Sequence, residues 1–252
     1  MSGLPRSGST LLSAILSQNP KIHAEGNSAV CQLMWDMQQS YINNCGEQIN
    51  ANDRQETIRE LISGIPKTYY NKIDVKERVV VDKCRSWALP SNMELLRNYI
   101  DKDLKVIMLE RSIVDIVKSF CKLYKKNGQI IQPDNLLKDG SEPIMRSLSG
   151  LLYAKHNNQA KNFLFVSYED LTGSPEATIE RIYDFCGWDP FAHDFQNIAP
   201  KYKENDAVYN LAGFHDVRPS VCRVEHTMFL PDEIVSKCNA IDNIRLHSIY
   251  GN

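Results

Sequence analysis

Two glycines near the start of the chain frame a segment with the spacing of a phosphate-binding loop. Residues 3–10 fit the pattern G-x-x-x-x-G-K-[ST], except that Ser9 stands where the pattern has lysine. Glycine lets the backbone turn tightly, so that successive N–H groups can face an anion, and the following helix points its positive end at the same place. The spacing therefore predicts an anion-binding loop, and the alternative is a glycine-containing turn without a ligand.

The residue that replaces the lysine indicates which anion the loop can bind. That lysine normally reaches the β- and γ-phosphates of a triphosphate bound with Mg²⁺, so Ser9 argues against hydrolysis of ATP or GTP. Arg6 supplies a cation inside the loop instead. A donor with a single 5′-phosphate that carries a transferable group fits these residues.

Short apolar runs, each followed by a helical pattern, predict the elements that position the loop. The predicted strands, rich in β-branched and aromatic residues, are residues 79–81, 106–109 and 163–166. The predicted helices are residues 9–19, 29–44, 53–65, 92–100, 113–124 and 175–186. This alternation predicts an α/β fold of the P-loop nucleotide-binding type, with a central parallel sheet flanked by helices in three layers. We expect residues 1–252 to form one domain that binds its ligand at the carboxyl ends of the strands.

Composition restricts the class of partner. The 252 residues carry a formal net charge of −2, which argues against a surface built to bind nucleic acid, so any anion site must be local. The seven cysteines contain no C-x-x-C pair and no zinc-ligand spacing, so we expect reduced thiols and no metal. Because no segment reaches about 20 consecutive apolar residues or resembles a signal peptide, we expect a cytoplasmic protein without a membrane partner.

Three segments of the chain, taken in order, resemble the motifs of one enzyme family. Residues 5–12 are PRSGSTLL, residues 106–120 are VIMLERSIVDIVKSF, and residues 166–171 are VSYEDL. They are similar to the 5′-phosphosulfate loop, the 3′-phosphate motif and a strand-end signature of the sulfotransferases that use PAPS, 3′-phosphoadenosine 5′-phosphosulfate. The resemblance is closest to the branch that includes the tyrosylprotein sulfotransferases and their bacterial relatives.

The resemblance implies a donor site for PAPS, with the bisphosphate PAP as the product. In the second motif an arginine ends a strand and a serine follows eight residues later on a helix, so Arg111 and Ser119 can converge on one phosphate. Tyr168 corresponds to a tyrosine near the nucleotide, although a tyrosine that closes the core is the alternative. Arg218 lies in a segment, residues 211–220, that looks like a late segment of bacterial members; exposed ion pairing is its alternative role. The expected donor-binding residues are Pro5, Arg6, Ser7, Gly8, Ser9, Thr10, Arg111, Ser119, Tyr168 and Arg218.

Sulfonate transfer also needs cations that stabilise the charge developing on the transferred group and on the leaving phosphate. We expect Arg6 and Lys83 to supply them. Residues 82–84 resemble the lysine-bearing strand end of the tyrosylprotein branch, and a lysine at the carboxyl end of an apolar strand is positioned to face a ligand.

The residue that takes the proton of the acceptor hydroxyl is less clearly marked. In the tyrosylprotein branch a glutamate follows the first helix, but the ungapped register puts Asn27 at that position, with Glu25 two residues earlier. We expect Glu25 to be the general base, with the Asn27 position, His23 and His215 as alternatives.

The resemblance thus implies a PAPS-dependent sulfotransferase that acts on a hydroxyl of a carbohydrate, lipid, peptide or small molecule. Two other functions compete with this interpretation. A P-loop nucleoside or nucleotide kinase would have a similar loop and fold, but Ser9 counts against it. A catalytically inactive nucleotide-binding protein would keep the donor site without a working base.

Overall fold

The chain alternates short strands with helices. The computed structural model describes residues 1–73, 79–140, 142–157, 161–224 and 227–247. Within these ranges the strands are β1 (Ser2–Gly3), β2 (Ile22–Asn27), β3 (Val79–Lys83), β4 (Val106–Glu110) and β5 (Phe163–Ser167). The α-helices are α1 (Ser9–Leu16), α2 (Val30–Ser40), α3 (Gly46–Ala51), α4 (Gln55–Tyr69), α5 (Pro90–Tyr99), α6 (Ile113–Lys126), α7 (Met145–His156), α8 (Tyr168–Gly173), α9 (Pro175–Cys186) and α10 (Asp232–His247).

The five strands are parallel, and the short strand β1 lies in the middle of their order. β4 lies between β1 and β5, and β2 pairs with β3, each pairing being parallel. Met1 joins the two groups of strands, because its backbone nitrogen donates to the carbonyl of Asp82 (2.7 Å) and its carbonyl accepts from the N–H of Cys84 (3.1 Å). The spatial order is therefore β2-β3-β1-β4-β5, with all carboxyl ends on one edge.

The core lies on both faces of this sheet. Val106 and Met108 of β4 belong to a cluster with residues of α2, α4, α5, α6, α7 and α10, whereas Ile107 and Leu109 pack with α1 and α9. Successive residues of a strand point to opposite faces, so β4 is covered by helices on both sides. The expected α/β fold, with a parallel sheet flanked by helices, is confirmed.

The sequence patterns located most of these elements, with differences that have physical causes. All three predicted strands are present, and α9 begins at Pro175 and ends before Gly187, whose left-handed backbone (φ 71°) stops the helix. The pattern over residues 29–44 is α2 followed by a π-helical turn at Tyr41–Cys45. Strand β2 was not predicted, because its sequence, IHAEGN, mixes apolar and charged residues. None of the described helices combines the length and apolarity needed to span a membrane.

The close approach of β1 to β4 requires glycine at position 3. Gly3 has a φ of 128°, and a Cβ built there would lie 2.1 Å from the carbonyl oxygen of Leu109. The backbone of β4 cannot move away without breaking its pairing with β5, so a side chain at position 3 has no space.

We expect Gly3→Ala to lower the free energy of unfolding by about 3 kcal/mol or more, since it combines a left-handed backbone with overpacking. Gly128→Ala is the matched control, because Gly128 also has a positive φ (67°) but its Cβ would meet nothing within 4 Å. This control should cost about 1 to 2 kcal/mol. Urea unfolding of both variants measures the difference, and equal costs would contradict the assigned steric constraint.

Candidate functional site

A cavity of about 540 Å³ opens at the carboxyl ends of the strands, where residues 3–10 lead into α1. Its described lining includes one carboxylate, that of Asp216, and seven cationic side chains, those of Arg6, Lys83, Arg85, Arg111, Lys122, Lys126 and Arg218. A chain with a formal charge of −2 therefore concentrates positive charge in one place. Such a cavity attracts an anion that carries several negative charges.

The backbone of the predicted loop has the shape that anion binding requires. Arg6 and Gly8 both have a positive φ, 58° and 93°, and Gly8 is the N-cap of α1. Gly8 is also tightly packed, since a Cβ there would lie 3.0 Å from the Leu171 side chain. Gly8, Ser9 and Thr10 line the cavity, so the positive end of α1 faces it. Ser7 is buried and does not line the cavity; its hydroxyl donates to the carbonyl of Leu4, which helps to hold the loop.

The loop and helix α6 meet through Arg6. Its Nε donates to the hydroxyl of Ser119 at 3.0 Å, and its Nη1 donates to the carbonyl of Phe214. The guanidinium also lies 5.3 Å from the centre of the Phe214 ring. Arg6 is thus fixed between the loop, α6 and a segment about 200 residues later in the sequence.

Arg111 is fixed beside Arg6 by a second set of neutral partners. Its Nη1 donates to the carbonyl of Arg6 (2.9 Å), and its Nη2 donates to the carbonyl of Val224 (3.2 Å). The guanidinium stacks over the ring of Tyr168 at 3.8 Å, and the hydroxyl of Tyr168 accepts from the N–H of Val224 at 3.2 Å. Tyr168 therefore positions the arginine, and its ring also lines the cavity.

The two arginines form a cationic pair in which Arg111 is buried and Arg6 is half-buried, and neither has a carboxylate partner among the described residues. Within the described ranges, each hydrogen-bonds to carbonyl or hydroxyl oxygens, and the Nε atom of Arg111 has no hydrogen-bond partner. Burial lowers the pKa of both guanidinium groups, and the charge of Arg111 lowers that of Arg6 further. A phosphate group would satisfy the buried donor and offset both charges, so these residues fit a phosphate-bearing ligand.

Lys83 places a third cation of the site, a buried one, at the end of β3. Its side chain is 4% exposed, and its Nζ lies 2.6 Å from Oε1 of Glu204. Burial lowers the pKa of Lys83, and Glu204 opposes this effect. Lys83, Arg6 and the loop line the same cavity.

The candidate bases lie in different places. Glu25 faces His23, with 3.3 Å between its Oε2 and Nε2 of His23, and it lines a small neighbouring pocket rather than the cavity. His23 is buried, with Nδ1 2.9 Å from the hydroxyl of Tyr202. Asn27 and His215 line the cavity. The structure therefore brings together all expected site residues except Ser7 and Glu25 at the cavity wall.

Two acidic residues that the sequence patterns did not single out contact this site. Glu204 lies against Lys83 and His215, and Asp206 accepts a hydrogen bond from His215. Glu204 lies in irregular structure and Asp206 begins a short 3-10 helix (Asp206–Tyr209), in a region without clean periodicity, where a charged residue is usually exposed. Their contacts show that both are half-buried: Glu204 lies against Asn27 of β2 and Lys83 of β3, and Asp206 lies against His215.

Comparisons with known proteins agree with this geometry. A model of the Sulfotransferase family matches residues 1–193. The fold is similar to a sulfotransferase domain from the olefin synthase of Synechococcus PCC 7002, with a TM-score of 0.56 and 18% identity over 95% of this chain and 92% of that chain. It is also similar to a sulfotransferase domain from the curacin biosynthetic pathway, with a TM-score of 0.60 and 17% identity over 96% of this chain and 97% of that one. No curated protein matches the sequence. These matches support the family and the fold, and none of them selects the tyrosylprotein branch.

A thiol in the cavity wall gives a direct probe of this geometry. Cys84 lines the cavity, and a hydrogen bond from Cys31, the largest influence, lowers its pKa to about 7. We expect iodoacetamide to alkylate Cys84 with a rate that rises through about pH 7, because the thiolate is the nucleophile. Cys31 is the internal control, since its hydrogen bond to Cys84 and its burial raise its pKa. Peptide mass spectrometry across pH measures both; a midpoint near the ordinary thiol value of about 8.5 would contradict the described contact.

Proposed function

The chain belongs to the sulfotransferase family, and we propose that it transfers a sulfonate group from PAPS to a hydroxyl group of an acceptor. One observation carries this proposal: the predicted anion-binding loop and the arginine pair Arg6 and Arg111 line one cavity, and both arginines hydrogen-bond to neutral oxygens in the described structure. PAPS has a phosphate at the 3′ position and a phosphosulfate at the 5′ position, so its two anionic ends match two separate groups of donors.

The donor contacts follow from the positions of these groups. The 5′-phosphosulfate would lie on the loop and the positive end of α1, which involves Pro5, Gly8, Ser9 and Thr10, with Ser7 holding the loop from behind. The 3′-phosphate would bind Arg111 and Ser119, with Tyr168 supporting Arg111. The contact of Arg6 with Ser119 supports a second role for Arg6 at the 3′-phosphate, besides stabilising the transferred group. Arg218 adds charge at the cavity wall.

For the reaction, the protein must hold the acceptor oxygen and the leaving phosphate oxygen in line with the sulfur. The bond between sulfur and the leaving phosphate oxygen breaks while the bond to the acceptor oxygen forms, and negative charge moves onto the leaving phosphate. Lys83 is buried and lines the cavity wall, and a cation held in a site of low polarity stabilises this charge strongly. The similarity of residues 82–84 to the lysine-bearing strand end of tyrosylprotein sulfotransferases supports the same role.

We also propose that residues 1–252 act as one catalytic domain. The family match ends at residue 193, yet the carbonyls of Phe214 and Val224 hold the two arginines, and His215 lines the cavity. The segment after residue 193 is therefore needed to complete the site.

We expect PAP to bind more tightly than ADP, and more tightly than ATP with Mg²⁺, in isothermal titration calorimetry. Arg6→Ala and Arg111→Ala should each weaken PAP binding roughly 10- to 150-fold, since a charge-assisted contact contributes about 1.5 to 3 kcal/mol. Arg146→Ala is the matched control, because Arg146 is exposed and pairs only weakly with Glu142 at 3.7 Å. Preference for ATP with Mg²⁺ would favour a kinase, and unchanged PAP binding in both variants would reject the assigned donor site.

Lys83→Ala should separate binding from chemistry. If Lys83 acts on the charge that develops during transfer, the variant should lose turnover of PAPS by a larger factor than it loses affinity for PAP. Initial rates of PAP formation, together with calorimetry, measure the two factors. Equal losses would mean that Lys83 only holds the bound donor.

A further inference from the structure

Four charged or titratable side chains form a continuous series from the cavity wall into the irregular segment after α9. Nζ of Lys83 lies 2.6 Å from Oε1 of Glu204, Oε2 of Glu204 lies 3.3 Å from Nε2 of His215, and Nδ1 of His215 lies 2.6 Å from Oδ1 of Asp206. These side chains are between 4% and 19% exposed. Shielding two carboxylates, a histidine and a lysine from water costs free energy unless each group has a hydrogen-bond or ion-pair partner. In this series each group has another member as its partner.

The backbone of β2 makes room for Glu204. A Cβ on Gly26 would lie 2.2 Å from Cγ of Glu204, so the glycine leaves the space that this side chain fills. The N–H of Asn27 donates to Oε2 of Glu204 at 3.3 Å. Asn27 is the position at which the sequence register predicts a glutamate. A carboxylate from a distant part of the chain therefore lies beside the position where the local sequence lacks one.

The contacts of His215 fix which nitrogen carries the proton. Asp206 accepts from Nδ1 at 2.6 Å, and its second oxygen accepts from the backbone N–H of His215 at 3.3 Å. In the neutral ring Nδ1 thus holds the proton, and the lone pair of Nε2 faces Glu204. This is the orienting role that a buried aspartate has in catalytic triads.

The groups around His215 have opposite effects on its ability to accept a second proton. The charged groups that face His215 are the carboxylates of Glu204 and Asp206 and the ammonium group of Lys83; the rings of Tyr209 and Phe214 cover it. Burial lowers the pKa of His215 below its ordinary value, although the two carboxylates act to raise it. Burial therefore favours the neutral imidazole, and the carboxylates stabilise the ring once it gains a second proton.

We propose, on the premise of the sulfonate transfer proposed above, that Glu204 takes the proton from the acceptor hydroxyl and passes it to Nε2 of His215. As the acceptor oxygen bonds to sulfur and the leaving phosphate oxygen departs, the proton moves from the acceptor oxygen to Glu204 and then to His215. The resulting imidazolium lies between two carboxylates, and solvent later takes its proton. Asp206 is a positioning residue that fixes the ring.

The contact between Glu204 and Lys83 places the proposed proton acceptor beside the transferred group. Lys83 and His215 line the cavity and both contact Glu204, so Glu204 lies directly behind the part of the wall that an acceptor oxygen beside Lys83 would approach. Both Glu204 and Glu25, the base that the sequence predicted, line the small neighbouring pocket. Glu204 contacts Lys83 and His215, which line the cavity, whereas Glu25 faces His23. The two candidate bases therefore lead to opposite predictions for the variants Glu204→Gln and Glu25→Gln.

Glu204→Gln and Glu25→Gln form a matched pair of isosteric variants. In single-turnover conversion of PAPS to PAP with water as the acceptor, Glu204→Gln should lower the rate about 10²- to 10⁴-fold, the usual contribution of a general base. Glu25→Gln should stay within about twofold of the wild type and should bind PAP with the wild-type affinity. Glu204→Gln should bind PAP at least as tightly as the wild type, because it leaves the charge of Lys83 unbalanced beside the anion. Loss of rate in Glu25→Gln with retention in Glu204→Gln would overturn the proposal.

A second measurement tests the proton pathway without turnover. In NMR titrations of the histidine rings, Glu204→Gln and Asp206→Asn should each lower the pKa of His215, because each removes a carboxylate that stabilises the imidazolium. Glu25→Gln should leave it unchanged. An unchanged His215 titration in Glu204→Gln would overturn the proposal even if PAP binds. Failure of the wild type to bind PAP would instead contradict the donor assignment, so the two failures are distinguishable.

Discussion

The structure depends on the backbone of residues 1–3, which joins two groups of strands into one sheet. Met1 pairs with β3 on one side, and Ser2 and Gly3 pair with β4 on the other. This junction sets the distance between Lys83, which ends β3, and Arg111, which directly follows β4. Gly3 lets β1 approach β4 closely enough for the loop after it to lie between these two cations. A two-residue strand therefore aligns the whole cavity.

The positive charges of Arg6, Arg111 and Lys83 have two different kinds of partner. Arg6 and Arg111 hydrogen-bond to backbone carbonyls and a hydroxyl, which orient them but cancel little of their charge. Lys83 pairs with the carboxylate of Glu204, so its charge is largely balanced within the protein. A bound bisphosphate would supply the missing negative charge at the arginines. The positive charge of Lys83, in contrast, becomes unbalanced only when Glu204 receives a proton. Its effect on the transferred group is therefore coupled to the proposed proton transfer.

Local sequence patterns predicted the parts of the site that local structure creates. The loop at residues 3–10 and the strand ends at Lys83 and Arg111 follow from glycine spacing and short apolar runs. Glu204 and Asp206 could not be predicted this way, because residues 187–219 lack clean periodicity and the contacts that half-bury these two carboxylates come from tertiary packing. Strand β2 was missed for a related reason: His23 and Glu25 break the apolar pattern, and Tyr202 and Glu204 are the distant partners that make its polar residues acceptable.

The contacts of the two arginines also determine when the site can form during folding. Arg6 and the carbonyl of Phe214 are separated by 208 residues, and Arg111 and the carbonyl of Val224 by 113 residues. Closing loops of this length is entropically costly, and contacts of such high sequence separation form late. Most helices depend on contacts that are close in sequence, so they can form before the cavity is able to bind its ligand. Nucleotide binding is then a stricter measure of complete folding for this chain than helix content.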